Sequence, residues 1–196
     1  MTLRRISLLL GAVLLGGLAG TAFAQSSTSA ASSRDTGHST SHHMAKGNHD
    51  TMFMRHAATA NLAEIQAGRI ALDKTSSAQV KQLAQRIIDD HTKANDQLTS
   101  IAQRKQVTLP SAPMPMQKQE ADHLKTLSGA SFDKAYAKAM VKDHRKAIKM
   151  FRMESQNGTD PDLKQFASAT LPALKEHLQM AEQIAGMGGK KRSDAH

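Results

Sequence analysis

The chain has 196 residues and a formal net charge of +9, with no cysteine, no tryptophan, one tyrosine and five phenylalanines. Without cysteine there is no disulfide, no thiol catalysis, no thiolate metal site and no lipid anchor on an N-terminal cysteine, so the fold must hold by packing alone. Scattered basic residues with so few aromatics exclude a base-stacking nucleic-acid platform; the charge suits a solvated lysine-rich surface, with loose attraction to anionic envelope material.

The chain opens with Arg4 and Arg5, an apolar run over residues 6–19 and the small-x-small triplet Ala22-Phe23-Ala24. This pattern predicts a secretory signal peptide cleaved after Ala24, and hence a periplasmic or envelope location. Its removal takes away two arginines and no acid, leaving a net charge of +7. Residues 25–50 are Ser-rich and lack an apolar period, which predicts a disordered linker. His38, His42, His43 and His49 make that linker a tract able to catch metal.

Alanine, leucine, isoleucine and methionine supply most of the apolar content after the linker, a palette for closely packed helices rather than sheets. The first long helix is expected over residues 51–75, with Phe53, Ala57, Ala60, Ala67 and Ala71 on one stripe and Glu64 inside it. Thr75-Ser76-Ser77 reads as a turn with a serine to cap the next helix. The second helix reaches about residue 105. Val80, Ala84, Ile87, Ala94, Leu98 and Ile101 share its apolar face, with His91 at the centre.

Three prolines between residues 107 and 117 forbid a continuous helix, and a short amphipathic piece over 118–127 follows. The third long helix is expected over 132–156, capped by Ser131. It carries Tyr136, Ala137, Met140, Val141, Ala147, Ile148 and Phe151 around His144. Asn157-Gly158 stops it, and Asp160-Pro161 is an N-cap and first-turn pair. The fourth, over 161–185, places Leu163, Phe166, Ala173, Leu174, Ala181 and Ile184 around His177, with Pro172 opening its hydrogen-bond ladder. Residues 186–196 form a flexible basic tail.

Short turns after the first and third long helices, and a long link between the second and third, predict an all-α four-helix bundle over residues 51–185. It consists of two antiparallel hairpins with a Pro-rich crossover. Each helix then offers one polar residue to the interior: Glu64, His91, His144 and His177. Counted from the turns, both hairpin offsets come to about 6 Å at 1.5 Å rise per residue. Asp90, Asp143 and Glu176 each precede a histidine and are placed to orient a neighbouring helix's imidazole.

Two readings of this set follow. Neutral imidazoles hydrogen-bonded to Glu64 and the flanking acids would form a polar layer that fixes helix register. Three imidazoles and one carboxylate would equally hold one divalent ion, a donor set that suits Zn, Fe, Cu or Ni. A second metal idea comes from Met52-Phe53-Met54-Arg55-His56 and Met114-Pro115-Met116, which resemble thioether clusters that hold Cu(I) outside the cytoplasm.

Glu64, the Asp90-His91 and Asp143-His144 pairs, the Phe132-Asp133-x-x-Tyr136 opening of the third long helix, and Leu171-Pro172 followed by His177 resemble the bacterial family called domain of unknown function 4142. The resemblance spans roughly residues 51–185 and implies a ferritin-like fold and export, with no established activity. The di-iron members of the ferritin-like group use two Glu-x-x-His motifs. Here Ile88, Val141 and Leu174 stand three residues before the histidines, so ferroxidase chemistry is not carried over.

No serine or threonine paired with a base, phosphate loop or acid/base carboxylate pair appears in the sequence. The functional expectation is an exported, non-enzymatic binding or stress-related envelope protein whose Glu/His cluster holds one metal ion. The alternatives are a mononuclear metal enzyme and a structural interaction module without metal.

Overall fold

Apolar residues spaced by three and four produce five helices and, among the described residues, no strand. These are α1 (Gly37–Lys74), α2 (Ala78–Arg104), α3 (Pro115–Thr126), α4 (Gly129–Asn157) and α5 (Pro161–Ile184). The computed structural model describes residues 37–186, with side chains from His49 onward. The expected signal peptide, residues 25–36 of the expected linker and most of the expected basic tail lie outside the described residues.

Three helix starts differ from the sequence expectation; α3 begins at Pro115, inside the expected Pro-rich link, because proline is tolerated in a first turn. α1 begins at Gly37, well ahead of residue 51, so the second half of the expected disordered linker is helical backbone. Once a helix is nucleated, each further residue adds one backbone bond, and a polar stretch without a stripe can continue it. α4 begins at Gly129 with Ser128 in the cap position, so Ser131 lies inside the helix. The other caps follow the sequence: Ser77 accepts from the Val80 amide, and Asp160 accepts from the Leu163 amide with Pro161 in the first turn.

Pro172 is exposed within α5, and Ser168, whose carbonyl would otherwise bond to it, is exposed too. Water can satisfy the freed carbonyl, which explains why α5 continues through the proline.

α1 packs against α2 and α4, and α5 packs against α2 and α4, closing a cycle of four helices; α3 lies against α1 and α4. The apolar interior separates into two clusters. One joins Phe53 and Ala57 of α1, Leu98 of α2, Phe151 of α4 and Leu163 and Phe166 of α5. The other joins Ala71 of α1, Val80 and Leu83 of α2, Leu124 of α3, Phe132 and Tyr136 of α4 and Ala181 of α5. The first cluster thus unites the start of α1 with the end of α2, and the end of α4 with the start of α5, so both pairs run antiparallel. On every long helix the interior polar residue falls between the two clusters.

The motif at the start of α4 has a packing explanation. Phe132 and Tyr136 are fully buried and stacked with ring centroids 6.0 Å apart, while Asp133 accepts a hydrogen bond from Thr75 in the α1–α2 turn. Two similar segments, Val80-Lys-Gln-Leu-Ala of α2 and Leu163-Lys-Gln-Phe-Ala of α5, both turn their apolar residues inward, one into each cluster.

At Gly68, α1 approaches α2 closely. A Cβ there would lie 2.8 Å from Ile88 Cγ1 and 3.1 Å from the Ala84 carbonyl. Helix propensity alone favours alanine by about 1 kcal/mol, whereas overpacking typically costs about 1–3 kcal/mol. Gly68→Ala is therefore expected to lower the urea midpoint rather than raise it; a raised midpoint would show that the two helices separate freely.

Candidate metal centre

The four residues at the stripe centres converge. Glu64, His91, His144 and His177 are 0–4% exposed, and the three imidazole centroids lie 5.2–5.6 Å apart. Glu64 Oε2 stands 2.9 Å from His91 Nε2 and 3.5 Å from His144 Nε2, and His144 Nε2 stands 3.2 Å from His177 Nδ1. One donor thus comes from each of α1, α2, α4 and α5.

What fixes the rings is the outward nitrogen of each. His91 Nδ1 donates to Asn61 Oδ1 at 3.0 Å, His144 Nδ1 to the Met140 carbonyl at 3.0 Å, and His177 Nε2 to Asp90 Oδ2 at 2.9 Å. A neutral imidazole that donates through one nitrogen holds a lone pair on the other. His91 Nε2, His144 Nε2 and His177 Nδ1 therefore point lone pairs at one another and at the Glu64 carboxylate. Glu64 Oε2 and His91 Nε2 are buried without a hydrogen-bond partner. Only a proton or a metal cation satisfies such a set of facing acceptors.

The spacing fits a metal ion. Ligands about 2.0–2.1 Å from a tetrahedral zinc-like centre are separated from each other by about 3.3 Å. The observed separations of 2.9, 3.2 and 3.5 Å bracket that edge. The three histidines also offer ligand atoms that all lie within 4.8 Å of one another.

Electrostatics favour the ionised form of Glu64 and the neutral forms of His144 and His177. Burial works to raise the Glu64 carboxyl, but the charges of His144 and His91 outweigh it and hold it down to about 2. Burial pushes the His177 imidazole down to about 4, helped by His144 and His91 and opposed by Asp90. Burial lowers His144 as well, against the pull of Glu64. Tyr136, whose buried hydroxyl has no hydrogen-bond partner, is raised by burial and by the Glu64 charge.

Of the three acids expected to orient imidazoles, only Asp90 does so, across from α2 to His177 on α5. Glu176 instead pairs with Arg86, which also lies 3.7 Å from Asp90. Asp143 lies 3.7 Å from Lys142, and burial with the Glu120 charge pushes it up to about 6. The supporting groups that sequence reasoning misses are Asn61 and the Met140 carbonyl. Asn61 precedes Glu64 by three residues, the same-face spacing of a helix, which is the one signal that marks it.

A cavity of about 580 Å³ opens beside Glu64, lined among others by His56, Met114, Met116, Met150, Glu120 and Asp143. The two methionine segments therefore do come together around His56: Met114 and Met116 in this cavity, Met52 in an adjoining groove that shares His56 and Met150. Met54 is buried in the core and does not join them.

The family model described as Domain of unknown function (DUF4142) matches residues 34–184. No curated protein matches the chain. Among solved structures, a DUF305 fragment from Deinococcus radiodurans aligns with a TM-score of 0.62 at 16% identity, covering 70% of this chain and 95% of that one. A DUF305 protein of Streptomyces coelicolor, described as secreted, aligns at 0.62 and 18% identity, covering 76% and 97%. CopM in a Cu(II)-bound form aligns at 0.61 and 19% identity, covering 70% and 95%. At these identities the likeness is one of fold. Among the described residues, no helix is long and apolar enough to cross a membrane.

The perturbed imidazoles predict how stability depends on pH. With His177 at about 4 in the fold and near 6.5 when unfolded, the unfolded chain takes up that proton first, so stability falls as pH drops from 6.5 to about 4. Glu64, at about 2 in the fold against 4.5 ordinarily, contributes stability above 4.5 that is lost as pH drops towards 2. Asp143, raised to about 6, and Glu154, raised to about 7, act with the opposite sign in this window, so the test is a difference between variants. The urea midpoint of metal-free wild type relative to His177→Gln should fall as pH drops from 6.5 to 4, and a difference that stays constant would contradict this.

Proposed function

The chain belongs to the DUF4142 family, and we propose that it is an exported helical bundle that binds one transition-metal ion through Glu64, His91, His144 and His177. The observation that carries this reading is the set of inward acceptors, three of whose separations are 2.9, 3.2 and 3.5 Å, with the outer nitrogen of each imidazole held from outside. The architecture we infer is the ferritin-like four-helix bundle of two hairpins, with residues 105–128 as the Pro-rich crossover. The role is binding rather than catalysis, in the periplasm or envelope, where the signal-like N-terminus would deliver it.

Among Zn, Fe and Cu, the surroundings favour copper. Imidazoles suit copper, and the thioethers of Met114, Met116 and Met150 beside His56 line the cavity that reaches Glu64, a soft-ligand approach to the buried donors. The fold is shared with CopM, whose structures hold Cu(I), Cu(II) or Ag. A second reading, a mononuclear metal enzyme, draws on the same cavity as a substrate path. It would require an open coordination position on the ion.

Elemental analysis of protein purified from its own compartment tests the reading. About one ion per chain is expected, absent from His144→Ala; a folded, metal-free protein that takes up no Zn(II) or Cu(II) would overturn it.

A further inference from the structure

His49 and Asp50 on α1 face the last turn of α4 at the far end of the first apolar cluster. His49 Nδ1 lies 3.5 Å from Glu154 Oε2 and 3.7 Å from Asp50 Oδ1, and all three residues offer ligand atoms within 4.8 Å of one another. Asp50 is held from the other side by Thr159, which donates to Oδ2 at 2.7 Å.

Glu154 is the anomaly in this group. It is 0% exposed, and neither carboxylate oxygen has a hydrogen-bond partner; Asp50 Oδ1 is buried and lacks one too. The nearby cation does not answer it, since Lys164 reaches the Gln156 carbonyl instead. Space is reserved for the carboxylate as well: a Cβ on Gly158 would collide with both the side chain and the carbonyl of Glu154. A fully buried carboxylate without donors is costly to keep, and a metal cation removes the cost by binding its oxygens directly.

We propose that His49, Asp50 and Glu154 form a second metal site, separate from the central cluster, that takes a divalent transition ion such as Zn²⁺ and pins the early part of α1 to the end of α4. An imidazole among the donors selects a transition ion over Ca²⁺ or Mg²⁺, which prefer oxygen alone. Glu154 lies ten residues after His144 on α4, about 15 Å along the axis, so the two sites share no ligand. The His49 side chain is half exposed, which leaves one side of the ion open to water and makes the site exchangeable. The site also gives the polar start of α1 an anchor that its sequence otherwise lacks, because residues 37–50 carry no apolar stripe.

Zn²⁺ titration of the metal-free full chain by calorimetry tests the site, with His38, His42 and His43 replaced by Gln so that their imidazoles do not count. Two ions per chain are expected. His49→Ala, a change at a half-exposed side chain, should weaken one of them at least tenfold, as should Asp50→Asn, while His144→Ala removes only the other. If both affinities survive His49→Ala and Asp50→Asn, the second site falls. One ion lost in His144→Ala and kept in His49→Ala overturns this site and leaves the central one standing. One ion with the opposite response supports this site and overturns the central one. As a check independent of stoichiometry, Zn²⁺ should raise the Tm of His144→Ala, and should not raise that of the His49→Ala/His144→Ala double variant.

Discussion

Everything about the interior follows from one electrostatic constraint: four acceptors, buried at mid-height, face one another with no donor among them. Placing a carboxylate and imidazole lone pairs at 2.9–3.5 Å in a site almost closed to water is unfavourable unless a positive charge sits between them. The surrounding helices enforce the arrangement rather than relax it. Asn61, the Met140 carbonyl and Asp90 hold the outer nitrogens, so neither His144 nor His177 can turn a hydrogen inward without giving up its outward bond. A cation held there would join α1, α2, α4 and α5 at one level.

The two readings that the sequence leaves open, a register-fixing polar layer and a metal site, draw on the same four residues. The apolar clusters on either side determine which helices meet but tolerate axial slippage, since alanine and leucine surfaces are similar from turn to turn. The polar level does not tolerate it. A shift of one residue on α5 would take His177 away from both Asp90 and His144. At the ends, the bond from Thr75 to Asp133 and the pairing of Lys105 with Asp160 and Asp162 tie the turns together, but these groups are at least partly solvated and weaker determinants of register.

The sequence makes the ligands legible and their supports much less so. A histidine at the centre of an apolar stripe violates the pattern around it, so Glu64, His91, His144 and His177 stand out by periodicity alone. Asp90, Asp143 and Glu176 look equivalent in sequence, each one position before a histidine and so about 100° around the helix. Which of them meets an imidazole depends on the neighbour at that flank. α5 sits beside Asp90, whereas Asp143 opens onto a cavity and Glu176 meets Arg86. Asn61 escapes notice because a neutral amide on a mostly small-residue helix is unremarkable without its partner. The early start of α1 is hidden for a different reason: residues 37–50 carry no apolar stripe, and the backbone there continues a helix whose pattern begins only further on.

The positions three residues before the histidines decide how much chemistry the centre can support. A two-metal carboxylate site needs bridging acids there, and this chain places Ile88, Val141 and Leu174 instead. Val141 and Leu174 are buried and Ile88 packs against Gly68, so these positions are committed to helix packing. The one polar residue with that spacing is Asn61, three before Glu64, and it is used to orient His91. With apolar side chains filling the positions where a second ion's bridging ligands would have to stand, the layer offers the donors of one ion and not of a pair.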